Sequence, residues 1–335
     1  MSKERGYDFP RMIVLLTAAF FSWVSFPPPL AAQTASNGLS VELDAIDVDA
    51  KRSARKTFGS LTLLASFSLK SKDNRFGGLS GLSIGKDGRL YAISDRGYWL
   101  SARMATDESG ALSNLMDWQI APLLTPGRTA VTGRLRDAEA LAQTRDGSML
   151  VGFEGVHRIW RYSAPPDTFA SAPVSVPVPA AIARAPSNGG IEGLTMLPDG
   201  RLLILTEQFE NSDGSLKGWL LDGNQSEELS YVPADGFRVT DCAALPDGDV
   251  LVLERRYVPF GILSARVARV EGKRIQSGAK LVGQELVKLE QPLAAENFEG
   301  MAVQQTAKGT MLYIVSDDNY NPFQQTLLLQ FLLPH

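Results

Sequence analysis

The chain has one cysteine and two histidines in 335 residues. With Cys242 alone, no intrachain disulfide can form and a cysteine-based zinc site is excluded; Cys242 reads as a buried core thiol. His335 is the terminal residue, so His157 is the one imidazole left for acid–base work or a serine triad. Positive charge is not in excess. A formal charge of −4 and a pI of about 5.4 give no general basic field, which removes nucleic acid and anionic membrane surfaces as expected partners. Sustained 3.6-residue periodicity is missing, as are a phosphate-binding glycine loop, a His-Glu-x-x-His helix and an EF-hand loop. The apolar run at residues 12–26 falls short of the roughly 20 residues a membrane span requires.

That short run has the layout of an export signal. Lys3, Arg5 and Arg11 precede it, and Pro27-Pro28-Pro29-Leu30-Ala31-Ala32 breaks the helix before a small-residue cleavage site. The reading is a signal peptide over residues 1–32, an N-terminal extension over 33–59 and one folded domain over 60–335, in a periplasmic or secreted monomer. An uncleaved N-terminal anchor is the alternative. A 44% hydrophobic content over this length suffices for a full core.

What the chain has is repetition. Asn188-Gly189-Gly190-Ile191-Glu192-Gly193-Leu194-Thr195-Met196-Leu197 leads into Pro198-Asp199-Gly200 and then Arg201-Leu202-Leu203-Ile204-Leu205-Thr206-Glu207. Asp-Gly between two apolar runs marks a hairpin, because glycine accepts the positive φ of a tight reversal. The unit recurs around Asp87-Gly88, Asp146-Gly147, Asp247-Gly248 and Lys308-Gly309. Each copy has an anchor at the start of its first strand (Ser80, Glu139, Glu192, Thr240, Glu299) and another at the end of its second (Asp95, Glu154, Glu207, Glu254, Asp317). The two are separated by 15, 15, 15, 14 and 18 residues, and the copies repeat every 48 to 59 residues. A period near 50 with several strands per repeat predicts an all-β propeller. Six blades are expected, with residues 112–124 supplying strands of a weak sixth; five is the alternative. Leu61, Leu63, Ala65, Phe67 and Leu69 alternate as one face of an orphan strand, residues 164–186 read as a proline-rich loop, and the apolar tail at 326–333 lacks a hairpin partner. Pairing the orphan strand with the tail would close the ring.

Antiparallel pairing puts both anchors of a hairpin at one edge, so one mouth of the central channel is expected to be acidic. Converging carboxylates either hold protons or gather round a cation, and an all-oxygen donor set suits calcium. The metal ligands so expected are Glu139, Glu192, Glu299 and Asp317. Two other readings stand beside this one. Arg75, Arg96, Arg136, Arg238, Arg255 and Arg256 lie near the anchors and would neutralise the ring as ion pairs; or they face the pocket and clamp an anionic ligand. Arg136 and Arg238 are the candidates to receive substrate charge, and His157 is a candidate general acid or base. Ser80 lacks the second glycine of a nucleophile elbow and reads as a turn or channel-lining serine.

Phe76-Gly77-Gly78-Leu79-Ser80-Gly81-Leu82, Asp137-Ala138-Glu139-Ala140-Leu141, Gly190-Ile191-Glu192-Gly193-Leu194, Leu251-Val252-Leu253-Glu254-Arg255 and Asn297-Phe298-Glu299-Gly300-Met301-Ala302 resemble the bacterial family called esterase-like activity of phytase. So does the stretch from Ser316-Asp317-Asp318-Asn319-Tyr320 through Asn321-Pro322-Phe323-Gln324-Gln325 to Thr326. The likeness runs over nearly all of residues 60–333. It implies an exported propeller and, from the family's name, an esterase or phosphoesterase acting on a small anionic ester. Glu139, Glu192 and Glu299 are also similar to the metal-binding glutamate of gluconolactonase-type propellers, where a divalent cation polarises a lactone carbonyl. Ser80 and Thr240 depart from that pattern. The opposing reading is a propeller that binds a ligand or partner without catalysis.

Overall fold

The structure, a computed structural model, describes residues 37–49, 51, 56–258, 262–291, 293 and 295–334. The expected export segment lies outside them. Among the described residues no helix is long and apolar enough to cross a membrane.

Four strands come first: β1 (Asn37–Gly38), β2 (Glu42–Ala45), β3 (Thr57–Phe58) and β4 (Leu61–Lys70). The first blade is β5 (Leu79–Ile84), β6 (Arg89–Ser94), β7 (Tyr98–Thr106) and β8 (Leu112–Pro122), edged by β1. The second is β9 (Ala138–Gln143), β10 (Met149–Phe153), β11 (Arg158–Tyr162) and β12 (Val174–Val176). The third is β13 (Ile191–Met196), β14 (Leu202–Glu210), β15 (Leu216–Asp222) and β16 (Gln225–Val232). The fourth is β17 (Arg238–Ala244), β18 (Val250–Val258) and β19 (Ile262–Val270), completed by β21 (Gln284–Glu290); β20 (Lys280–Val282) leaves it to pair in parallel with β16 of the third. The fifth is β22 (Phe298–Thr306), β23 (Gly309–Ser316) and β24 (Thr326–Leu332), continued by β4 and β2.

The five inner strands touch in a closed cycle, β5 to β9 to β13 to β17 to β22 and back to β5. Five is therefore the blade count, and the expectation of six is corrected. Of residues 112–124, all but the last two fall on β8, which pairs with β7 as an outer strand of the first blade and has no inner hairpin of its own. The hairpins form where read: Gly88, Gly147, Gly200, Gly248 and Gly309 all take positive φ. The ring closes as read too, with β24 antiparallel to β4.

Side-chain alternation makes the core. Each blade sends successive residues to opposite neighbours, so five apolar cores lie between five pairs of blades. In β18, Leu251 and Leu253 join the core shared with the fifth blade, while Val250 and Val252 join the one shared with the third. Replacing such a leucine by alanine costs about 2–5 kcal/mol. Two readings are refined. A bulge leaves Leu64 unpaired in β4, which flips the pleat: Leu61 and Leu63 enter one core and Leu69 the other. The proline-rich stretch at 164–186 contains the outer strand β12, which is too short and exposed to show alternation.

Candidate functional site

Every inner hairpin carries the same defect. The register slips by one residue at the start of the first strand, and the residue left unpaired is the first anchor: Ser80, Glu139, Glu192, Thr240 and Glu299. A bulge re-aims the side chain it strands. Here it turns five equivalent side chains toward one end of the ring.

The two hydroxyl anchors are interblade bonds. Ser80 Oγ donates to the carbonyl of Ala138 at 2.9 Å, and Thr240 Oγ1 to that of Phe298 at 3.1 Å, in each case the residue preceding the next blade's glutamate. Asp241, fully buried, accepts from the Met301 amide at 2.6 Å across the same joint.

The second anchors follow an equally regular rule with one exception. The amides of Asp95, Glu154, Glu207 and Asp317 each donate to the carbonyl two residues before the first anchor of their hairpin. In the fourth blade that place, opposite Arg238, belongs to Arg255 and not to Glu254. The reading of Glu254 as a mouth residue is therefore corrected: it is paired with Arg266 and accepts from Tyr231 at 2.8 Å in a buried joint between the third and fourth blades. The 14-residue spacing of that copy was the signal, since Arg255 restores 15.

Arg255 reaches Glu299 at 2.5 Å and Glu207 at 3.1 Å, and also donates to Asn297. Asn297 Nδ2 donates in turn to Glu299 at 2.8 Å. On the other side of the ring Glu154, 2% exposed, accepts the Gly189 amide at 2.7 Å together with that of Gly190. Asp317 Oδ1 accepts the Asn319 amide at 2.7 Å. Asp95 Oδ1 is buried with no hydrogen-bond partner. Gly78, at φ 60°, leaves room for it: a Cβ there would lie 2.4 Å from both that oxygen and the Tyr320 ring.

Burial and mutual repulsion hold protons on this ring. Burial, then Glu299, Asp137, Glu154 and Asp95, push Glu139 well up. Burial, then Glu154, Glu139, Glu207 and Glu299, do the same to Glu192. Burial raises Asp95 to about 6, Glu154 to about 7 and Asp317 to about 8. Glu299 is raised by burial against the pull of Arg255. Glu139, Glu192, Glu299 and Asp317 are thus brought together. Among the described residues, no three His, Cys, Asp or Glu side chains stand already grouped as metal ligands.

The other expected site residues surround the ring. Arg136 is exposed at the rim, close enough to draw down the pKa of Asp95. Arg238 is tied to Glu210 at 3.0 Å on the surface. His157 Nε2 lies 2.9 Å from the Pro186 carbonyl, which only accepts, so the proton is on Nε2; Nδ1 lies buried against Gly190 with no partner. Arg96, one of the arginines expected near the anchors, stacks 3.3 Å over the Tyr320 ring next to Asp95.

No curated protein matches the sequence. Solved structures similar to the chain include a protein assigned as a gluconolactonase (15% identity, 90% of this chain and 93% of that one, TM-score 0.43). They also include the PQQ-bound aldose sugar dehydrogenase of Streptomyces coelicolor (12% identity, 88% and 99%, TM-score 0.42). A third is an inactive virginiamycin B lyase of Staphylococcus aureus with quinupristin (9% identity, 88% and 100%, TM-score 0.41). At the level of sequence family, residues 74–320 match the phytase-like family, described as esterase-like activity of phytase. All five bulged hairpins lie wholly within that stretch, and the protein belongs to the phytase-like family.

Proposed function

We propose that the protein hydrolyses a phosphate or carboxylic ester at the acidic mouth, with a divalent cation, calcium by donor type, offsetting the ring's charge. One observation carries this: Asp95, Glu139, Glu154, Glu192, Glu207, Glu299 and Asp317 converge on one end of the propeller, where Arg255 alone among the described arginines bonds into their midst. The all-oxygen donor set and the unpartnered Asp95 oxygen fit a hard cation. Glu139, Glu192, Glu299 and Asp317 would hold it. When bound, it would polarise the scissile group and lower the pKa of a water.

The chain's own groups supply the rest. Glu154, raised to about 7 and aimed by two backbone amides, is poised to take a proton from an attacking water near neutral pH. Arg136 at the rim meets the negative charge of the substrate, while the Glu210 pair holds Arg238 back from it. His157 braces the Gly189-Gly190 turn that orients Glu154.

The test is thermal unfolding with calcium and with chelator, followed by a panel of phosphate esters, carboxylic esters and lactones. A ligand at 100 times its dissociation constant adds about 2.7 kcal/mol, a rise of about 4 °C in a domain of this size. Calcium stabilisation with turnover supports the reading. Absence of both overturns it. The near-closure of the ring, where Glu154, Glu192, Glu207 and Asp317 are all buried, favours a second reading as a binding propeller; stabilisation without turnover on any ester would select it.

A further inference from the structure

The acid ring is not the whole of its face. A groove of about 450 Å³ opens beside it, between the 318–325 loop and the ends of β4 and β24. Its size falls within the roughly 300–1,000 Å³ of small-molecule sites. Asp317 closes β23; β24 is one strand further out and β4 two, so at about 4.8 Å per strand the groove begins within about 5–10 Å of the ring. Leu69 and Phe76 form its floor, and Phe323, 92% exposed, forms a wall.

That exposure is held in place. The Phe323 amide donates to Asn321 Oδ1 at 3.1 Å, Asn319 Nδ2 to Gln324 Oε1 at 3.2 Å, and Thr326 Oγ1 to Asp318 Oδ2 at 3.0 Å. Asp318 Oδ1 accepts the Gly78 amide of the next blade at 3.0 Å. A large aromatic ring is thus presented to water on a preorganised loop, which lowers the ordering cost of anything that stacks on it. Around it the lining is polar: Ser68, Ser71, Gln324, Gln325 and Thr326. The contacts of Gln324 use its carbonyl oxygen, which leaves its amide N–H groups for a ligand. Lys70, the cation of the groove, is paired with Asp44 at 2.8 Å.

We propose that this groove is the subsite for an uncharged, hydroxylated ring, a sugar or cyclic polyol, carried by the ester substrate. An aromatic wall stacks on the C–H face of such a ring while amides and hydroxyls meet its hydroxyl groups. A plain aryl or acyl group would strip water from the Gln324 amide N–H groups and offer them no hydrogen bond in return. A multiply phosphorylated ring would meet a paired lysine and a nearby acid ring. The inference rests on the hydrolase reading for what happens at the ring, and the binding itself is independent of it.

The experiment is calorimetric titration of the full chain with methyl glucoside, methyl galactoside, myo-inositol and phenol. It is run on the wild type, Phe323→Ala, Phe323→Trp and Glu192→Gln, with melting curves confirming that all are folded. Saturable binding of at least one hydroxylated ring is expected. It should weaken tenfold or more in Phe323→Ala, persist in Phe323→Trp and persist in Glu192→Gln. Absence of saturable binding of all three rings, unchanged affinity in Phe323→Ala, or tighter binding of phenol than of any hydroxylated ring would overturn the subsite. Phe323-dependent binding in a protein that turns over no ester would keep the subsite and remove the hydrolase reading.

Discussion

Arg255 and Glu299 belong to neighbouring blades and meet at 2.5 Å, Nη1 to Oε1, in a place where the other four hairpins present a carboxylate. The guanidinium is a built-in counter-charge to the acid ring, shared between Glu207 and Glu299.

Replacing Arg255 by methionine leaves Glu207 and Glu299 without their cation. Removing one partner of a buried pair costs about 3–5 kcal/mol, and the same order is expected here from urea unfolding at pH 8. At pH 5 the cost shrinks, because burial raises the Glu299 carboxyl and the loss of Arg255 removes the charge that pulled it down. Equal losses at both pH values would show that packing, not charge, is what Arg255 supplies.

The ring also sets a pH dependence. Ordinary values are 3.8 for Asp and 4.5 for Glu; in the fold Asp95 ionises at about 6, Glu154 at about 7 and Asp317 at about 8. Between about pH 4 and pH 8 the folded protein therefore holds more protons than the unfolded chain, so stability falls as pH rises across that window. Asp73 works in the other sense: its bonds with Arg75 lower it to about 2, and that contribution is lost only as pH falls below its ordinary value of 3.8. The urea midpoint should peak near pH 4 and decline toward pH 8. Calcium should recover part of the decline at pH 8 and little at pH 5.

Glu192→Gln removes a carboxylate that burial and four neighbours disfavour. Turnover of any ester substrate should drop by about 100-fold or more, in line with the loss of a preorganised charged group. Stability at pH 8 without calcium should hold or rise. Unchanged turnover would place the chemistry outside the ring.

Ser80→Ala and Thr240→Ala each strand a buried carbonyl at a blade joint, Ala138 or Phe298. Each should destabilise by about 1 kcal/mol in urea titrations while leaving turnover within about twofold. Lost turnover in Ser80→Ala alone would make that hydroxyl a reacting group.

The hairpins were legible because their signal is local: an Asp-Gly turn between apolar runs fixes a pair of strands whatever surrounds it. The anchors were legible for the same reason, being placed by the hairpin's own register. Blade count was not, since β8 alternates as well as an inner strand does and only its pairing with β7 reveals its rank. The exchange of Glu254 for Arg255 showed only as a spacing of 14 in place of 15, and because successive side chains of a strand point to opposite faces, that one residue separates the mouth from the buried joint. Interblade bonds such as Asp241 to Met301 join residues 60 apart and leave no trace in spacing.

The pairing of β24 with β4 has a temporal side. As the ribosome delivers the chain, the first four blades can assemble their hairpins in turn, yet the fifth waits for β24, and until then β4 has an open flank. Closure of the ring is thus held back until β24 has been made, with the long loop-closure entropy that slows such topologies. A chain cut before Thr326 would expose the flanks of both β4 and β23, the kind of surface on which sheets of different molecules zip together.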